Sequence, residues 1–178
     1  ALLKEFPNGK MASQAKLYLA NSLYNMASYN EALALFKALQ NESYDEDIRM
    51  TARYQTGWCY YNMHKDKEAV DVFTQFLKDY PSADLTPDVR FWFGEYYHSK
   101  AKYDMAKEYF TSILKDFPSS DIIENTLYQL VLILSEEGKT DEAMAWIKEL
   151  DSKFPGSALA KAAYKRVTFW SNLEKIKK

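Results

Sequence analysis

Prolines stand at positions 81, 118 and 155, each 37 residues after the last, and Pro7 lies 74 residues before Pro81, which is two such steps. The position skipped between them is Tyr44. Other columns keep the same phase: Ala32, Ala69, Ala106, Ala143; Phe36, Phe73, Phe110, Ile147; Ala20, Gly57, Gly94, Val131; and Leu23, Tyr60, Tyr97, Leu134. Columns in phase over four copies limit what the chain can fold into. A unit of this length is one supersecondary element that cannot bury its own apolar face, so neighbours must stack on it and the array is a solenoid.

The clearest copy is Gly94 to Pro118, GEYYHSKAKYDMAKEYFTSILKDFP, which reads as helix, short turn, helix and stop. Apolar residues at helical spacing, such as Leu19, Ala20 and Leu23, set one face of each first helix. The residue before a proline is pushed out of the helical region, so each Phe-Pro or Tyr-Pro step ends a second helix. The spacing predicts helices over 12–26 and 29–40, 47–63 and 66–79, 87–100 and 103–116, 120–137 and 140–153, and a last one over 157–175. As domains this gives a single solenoid over 1–178: the tail of a preceding repeat at 1–9, repeats at 11–46, 47–83, 84–120 and 121–156, and a terminal capping helix at 157–178. In the tail, Leu2, Leu3, Lys4, Phe6 and Pro7 align with Ile113, Leu114, Lys115, Phe117 and Pro118, so the native chain is expected to continue upstream. Start signals are Asp66, the run Thr86-Pro87-Asp88, Thr140 and Ser157, with Gly138 as a stop. The capping helix is expected to show Leu159, Ala163, Val167 and Trp170 on its packed side, and Lys161, Lys165, Arg166 and Glu174 to water. Ala106 and Gly94 are placed where the two helices of a unit cross, and Phe110 where one unit meets the next.

Composition narrows the function. Apolar residues at 47% are ample for a core. A net charge of −2, with a basic run only at Lys175, Lys177 and Lys178, argues against nucleic acid. Cys59 is alone, which excludes an intrachain disulfide and suits cytoplasm and periplasm alike. No apolar run is long enough to span a membrane. The first residue is Ala1 rather than Met, and a mature or truncated piece is expected.

The order of a small residue, an aromatic, an alanine, an aromatic and a closing proline, here Gly94, Tyr97, Ala106, Phe110, Pro118 and Gly57, Tyr60, Ala69, Phe73, Pro81, resembles the tetratricopeptide repeat. The period departs from the family's usual length of about 34. The tryptophan usual four residues before the small position is replaced by Lys16, Arg53, Arg90 and Leu127. The third repeat is similar to repeats of a bacterial-envelope subgroup, those of the periplasmic Tol–Pal coordinator and of the lipoprotein scaffold of the outer-membrane barrel assembly machine. The resemblance implies an all-α, right-handed superhelix of antiparallel helix pairs, about four and a half repeats, lined on its concave side by first helices. It implies an adaptor that binds a protein or peptide partner, without chemistry or cofactor of its own. It also implies a periplasmic or outer-membrane-associated location, cytoplasm being the alternative.

Helical geometry places one column three before, one after and four after the small residue on a shared face: Leu17, Asn21, Tyr24; Tyr54, Trp58, Tyr61; Phe91, Glu95, His98; Tyr128, Leu132, Ser135. The expected partner-binding set is Tyr54, Trp58, Tyr61, Phe91, Trp92, Glu95, His98 and Tyr128, with Trp92 toward the edge. Partly exposed Trp and Tyr suit binding hot spots; the alternative is that these rings pack between adjacent first helices. Some family members clamp a terminal carboxylate with Lys, Asn and Arg on this face. The matching positions hold Leu17, Asn21, Gln55, Asp88 and Trp92, so no such clamp is expected. His98 is paired by spacing with Glu95, and no Cys, Asp or second His joins them as metal ligands or as an acid–base set. His64 is expected in a solvated turn, Cys59 as a small buried or half-buried residue rather than a nucleophile, and the acidic run 42–47 as a solvated loop. No catalytic residue, metal or cofactor is assigned. Two readings besides groove binding stay open: oligomerisation through an open solenoid end, and stacking of a cell-wall polymer on the aromatics.

Overall fold

A computed structural model describes residues 10–43 and 45–177, and the side-chain surroundings of 11–43 and 45–169. The expected repeat tail at 1–9, Tyr44, the side chains of Trp170, Glu174, Lys175 and Lys177, and Lys178 lie outside the described residues. The described residues form α1 (Lys10–Asn25), α2 (Tyr29–Glu42), α3 (Glu46–Asn62), α4 (Asp66–Asp79), α5 (Thr86–Ser99), α6 (Tyr103–Asp116), α7 (Ile123–Glu136), α8 (Thr140–Lys153) and α9 (Ala158–Lys177). No strand occurs among them. The all-α repeat of helix pairs is therefore the fold. Only α7 starts three residues late, because Ser120 N–H donates to the Phe117 carbonyl and Ile123 N–H to the Ser120 carbonyl, which holds 117–123 in turns.

The chain divides into two units, 1–86 and 87–178. In the first, α1 packs on α2, α2 on α3 and α3 on α4. Its core joins Ala20, Ala32, Phe36, Leu39, Ile48, Ala52 and Cys59. In the second, α6 packs on α7, α7 on α8, and α9 on both α7 and α8. Its core joins Ala106, Phe110, Ile113, Leu127, Leu130, Ile147, Leu150, Ala163 and Val167 with their neighbours.

Each repeat closes its first helix identically. Ala27, His64 and Ala101 adopt φ of 58°, 57° and 55°, and Gly138 takes the same place at 73°. The next residue's N–H then reaches back five positions: Ser28 to Leu23, Lys65 to Tyr60, Lys102 to Tyr97 and Lys139 to Leu134, at 2.8–2.9 Å. This is the Schellman closure, in which a left-handed residue lets orphan carbonyls be satisfied. The column Leu23, Tyr60, Tyr97, Leu134 thus supplies the accepting carbonyls.

Two expected caps differ. Asp66 is the first helical residue, and the preceding Lys65 makes no side-chain cap bond, since the tight turn already fixes the helix entry. Thr86 is inside α5, and its hydroxyl donates to the Tyr80 carbonyl at 2.5 Å instead of accepting from the helix. Ser157 does cap α9, accepting from Ala160 N–H at 3.0 Å. On α9, Ala163 and Val167 are buried and Leu159 half-buried as expected. Arg166 differs, donating to Glu136 at 3.1 Å rather than facing only water.

The residues in the family's tryptophan position have a partner that sequence reading missed. Lys16 pairs with Glu42, Arg53 with Asp79 and Arg90 with Asp116, each 26 residues on, in the last turn of the same repeat's second helix. Arg53 lies over the Tyr80 ring and Arg90 over the Phe117 ring. Arg90 also donates to the Ser112 carbonyl at 3.0 Å. In the fourth repeat the position is Leu127, fully buried, and the residue 26 on is Lys153. The cation and the acid are thus lost together.

Gly57 and Gly94 exist because of the ring column. A β-carbon on either would collide with the ring of Phe73 or Phe110 respectively, in the same repeat. Phe110 also shares a core cluster with Leu127 and Leu130 of the next repeat, so it serves both contacts.

Candidate functional site

In the first unit, α3 carries Tyr54, Trp58 and Tyr61 on successive turns of one face. Trp58 stands edge-on to Tyr54 at 5.9 Å and to Tyr61 at 5.7 Å between ring centroids. Behind them, Trp58 meets Phe73 at 5.4 Å and Tyr54 meets Phe76 at 6.0 Å, so α4 supports the row. Tyr54 and Trp58 are half-buried, and Tyr61 is 45% exposed. The rings are neither fully inside nor loose: inner edges pack and outer edges reach the surface. Asn62 fixes the flank, donating to the Tyr24 hydroxyl at 2.8 Å and to the Trp58 carbonyl at 2.9 Å. Burial raises the Tyr24 phenol pKa above its ordinary value, against the opposing bond from Asn62. On the same face of α1 as Tyr24, the amide oxygen of Asn21 is buried without a hydrogen-bond partner. Leu17, Asn21, Tyr24, Tyr54, Trp58, Tyr61 and Asn62 make a face with no ionisable charge at neutral pH.

The second unit carries the other expected residues, and it separates them. Phe91 is half-buried, edge-on to Phe110 at 5.3 Å. Trp92 is only 3% exposed, packed on Phe93 at 5.0 Å and stacked with Tyr96 at 5.3 Å. It is a core residue and leaves the candidate set. Ser135 turns inward and donates to the Val131 carbonyl at 2.6 Å. Tyr128 is half-buried against the core.

His98 does not pair with Glu95. Its Nε2 lies 2.9 Å from Glu136 of α7, and Glu136 accepts from Arg166 of α9, so three first helices of this unit are linked through one carboxylate. Burial raises the pKa of Glu136, but the bonds and charges of His98 and Arg166 outweigh it and hold it below the usual range. Glu95 accepts from Gln129 at 3.2 Å. It is exposed as a residue, yet its carboxyl is desolvated enough to raise its pKa, with His98 and Gln129 acting against that.

A second cluster went unseen in the sequence. Lys107 of α6 pairs with Asp104 at 3.0 Å and with Glu137 at 2.7 Å, and Glu137 also takes Lys139 at 3.0 Å. Desolvation alone would lower the Lys107 pKa, but the surrounding carboxylates push it up to about 12. For the links between adjacent first helices, the signal was present in the spacing. His98 to Glu136 and Tyr24 to Asn62 are both one period plus one residue apart, which is where adjacent first helices meet.

Cys59 is fully buried, and desolvation lifts its thiol to about 11, which disfavours the nucleophilic thiolate. Among the described residues no group of three or more His, Cys, Asp or Glu could hold a metal ion. Among them, no helix is long and apolar enough to cross a membrane.

Two stretches of the chain, 51–83 and 88–120, match the family model of the tetratricopeptide repeat. No curated protein matches the chain. Among solved structures, YrrB, described as a TPR protein with an unusual peptide-binding site, aligns with TM-score 0.69 at 20% identity, over 98% of this chain and 84% of that one. A putative kinesin light chain of nearly identical TPR-like repeats from Podosopora anserina aligns with TM-score 0.67 at 12% identity, over 91% and 86%. MamA from AMB-1 aligns with TM-score 0.66 at 18% identity, over 94% and 85%. At these identities the likeness is one of fold.

Proposed function

We propose that this chain, which carries tetratricopeptide repeats over 51–83 and 88–120, is a non-catalytic protein-interaction scaffold whose first unit receives a partner segment on the Tyr54–Trp58–Tyr61 face. One observation carries the reading: three large rings stand in a row, braced from behind by Phe73 and Phe76, with outer edges at the surface and no charge among them. Tyr and Trp give large contact area for few rotatable bonds, and binding energy concentrates on such residues. A braced row loses little entropy on docking, so less of the contact energy is spent on ordering it. The partner is an apolar or aromatic peptide segment, extended or helical. The peptide-binding description of YrrB, a protein of similar fold, supports the same class of ligand. The likeness of the third repeat to envelope repeats supports a place in a bacterial envelope assembly, in the periplasm or at the outer membrane.

The test is affinity capture from an envelope extract, with the parent chain beside Tyr61→Ala and helicity of both checked by circular dichroism. Tyr61 is chosen because it is the most exposed ring of the row, whereas Trp58 also supports Phe73. The expected result is a partner held by the parent and weakened by about tenfold or more on the variant, as for a hot-spot ring. Equal retention on a folded variant would place binding elsewhere.

A further inference from the structure

One side of α1 is apolar, uncharged and open. Met11 is 69% exposed, Tyr18 65%, Leu19 51% and Met26 73%, and Ala15 and Ser22 between them are exposed too. Their spacing puts them on one face, so they form a stripe along the helix. On α3 the columns of Met11, Ala15, Leu19 and Ser22 hold Ile48, Ala52, Thr56 and Cys59, and all four are buried. The stripe on α1 thus has the character of a covered face. It has no charge to solvate it. The only ionic residue between Met11 and Met26 is Lys16, and Lys16 is turned to Glu42 at 2.7 Å. A contiguous exposed apolar patch of this kind marks an interaction surface.

The order of the stripe says what fits it. Read from Met11 it runs large, small, large, large, small, large, and read back from Met26 it runs the same way. A second α1, turned end over end about an axis between Tyr18 and Leu19, therefore matches the first. Met11 faces the other copy's Met26, Ala15 faces Ser22, and Tyr18 faces Leu19. The small residues let the two backbones approach, and the large ones fill the gaps on either side. Methionine at both ends adapts to an irregular surface. Position 16 falls opposite position 21, so Lys16 meets Asn21 and no like charge. A twofold contact uses the same patch on both copies, so one self-complementary stripe is enough. The four large side chains expose on the order of 500 Å² per copy, and a pair would bury on the order of 1,000 Å², the lower end of a specific interface. We infer that α1 is a homodimer contact, in which two copies of the chain pair these helices antiparallel through Met11, Ala15, Tyr18, Leu19, Ser22 and Met26. The contact uses a different side of the first helices from the Tyr54–Trp58–Tyr61 row, whose columns on α1 are Leu17, Asn21 and Tyr24.

The test is the mass of the full chain in solution over a dilution series, for the parent, Leu19→Asp and Tyr61→Ala, with helicity checked by circular dichroism. The parent is expected to pass from monomer to dimer as concentration rises. Leu19→Asp sets a carboxylate at the centre of the contact and should weaken the dimer by about tenfold or more while the helices stay intact. Tyr61→Ala, on the proposed partner row, should dimerise like the parent. The register is read by cross-linking. Ala15→Cys and Ser22→Cys chains, mixed under mild oxidation, should form a disulfide between copies about tenfold faster than either variant alone. Cys59 is silent at neutral pH because it is buried. A parent that stays monomeric throughout would overturn the inference, and any cover on the stripe would then come from elsewhere. A folded Leu19→Asp that dimerises as tightly as the parent would overturn it too. So would either cysteine variant cross-linking alone as fast as the mixture, because the helices would not be antiparallel in this register.

Discussion

Ala27, His64 and Ala101 hold a conformation that costs an L-residue about 1–2 kcal/mol, while Gly138 holds it without that cost. Glycine gives back part of the difference through greater freedom in the unfolded chain, about 0.5–1 kcal/mol. Ala101→Gly is therefore expected to raise stability by about 0.5–1 kcal/mol, read from chemical denaturation. Gly94→Ala is expected to act the other way, because the added methyl collides with the Phe110 ring. Overpacking of this kind costs about 1–3 kcal/mol, which outweighs alanine's helix preference of about 1 kcal/mol. Combining it with Phe110→Leu should give a non-additive cycle if the ring is the obstacle. The Gly94 column was legible in the sequence because its residues are small. The left-handed column was not, because three of its four members are Ala or His and only Gly138 carries the usual mark.

At the scale of helices, spacing alone predicted the pairs and most of their ends. It missed the partners, because a side chain's contact depends on its direction from the helix and not only on its column. His98 sits three residues from Glu95 but is directed to Glu136 on the neighbouring first helix. Trp92 was expected toward the edge of the binding face from its helical position, but its ring faces the core with Phe93 and Tyr96. The paired carboxylates set a pH dependence. Burial raises Glu136 and Glu137, but His98 with Arg166 and Lys107 with Lys139 outweigh it, so both folded pKa values lie below the ordinary 4.5. A depressed folded pKa adds stability that is complete above the unfolded value and lost as pH falls through the folded one. Thermal unfolding from pH 7 to pH 3 should therefore show the midpoint fall below about pH 4.5. Glu136→Gln should lower stability at pH 7 and flatten that fall. A fall equally steep in the variant would assign the pH dependence to other groups. In the ladder of Lys16, Arg53 and Arg90, the cation matters more than the acid. Arg90→Ala removes the Ser112 bond and the packing on Phe117 along with the ion pair, so it should destabilise more than Asp116→Asn.

For the whole molecule, the repeat and its helix pairs were written in the period, since a fixed step imposes the same packing on every copy. The candidate face was legible only in part. Columns show which residues share a face, and how deep each ring sits is decided by what α4 and α6 put behind it. Phe76 leaves Tyr54 half-buried, and Phe110 draws Phe91 toward the core. The surviving surface row, Tyr54, Trp58 and Tyr61, is the central claim. Its most direct test is to follow the tryptophan indole resonances by NMR while the segment mapped from a captured partner is titrated in, with Trp58 assigned through Trp58→Phe. The account expects the Trp58 signal to shift with saturation while that of Trp92, which lies in the core, stays in place. A Trp58 signal that does not move while the segment binds would contradict it.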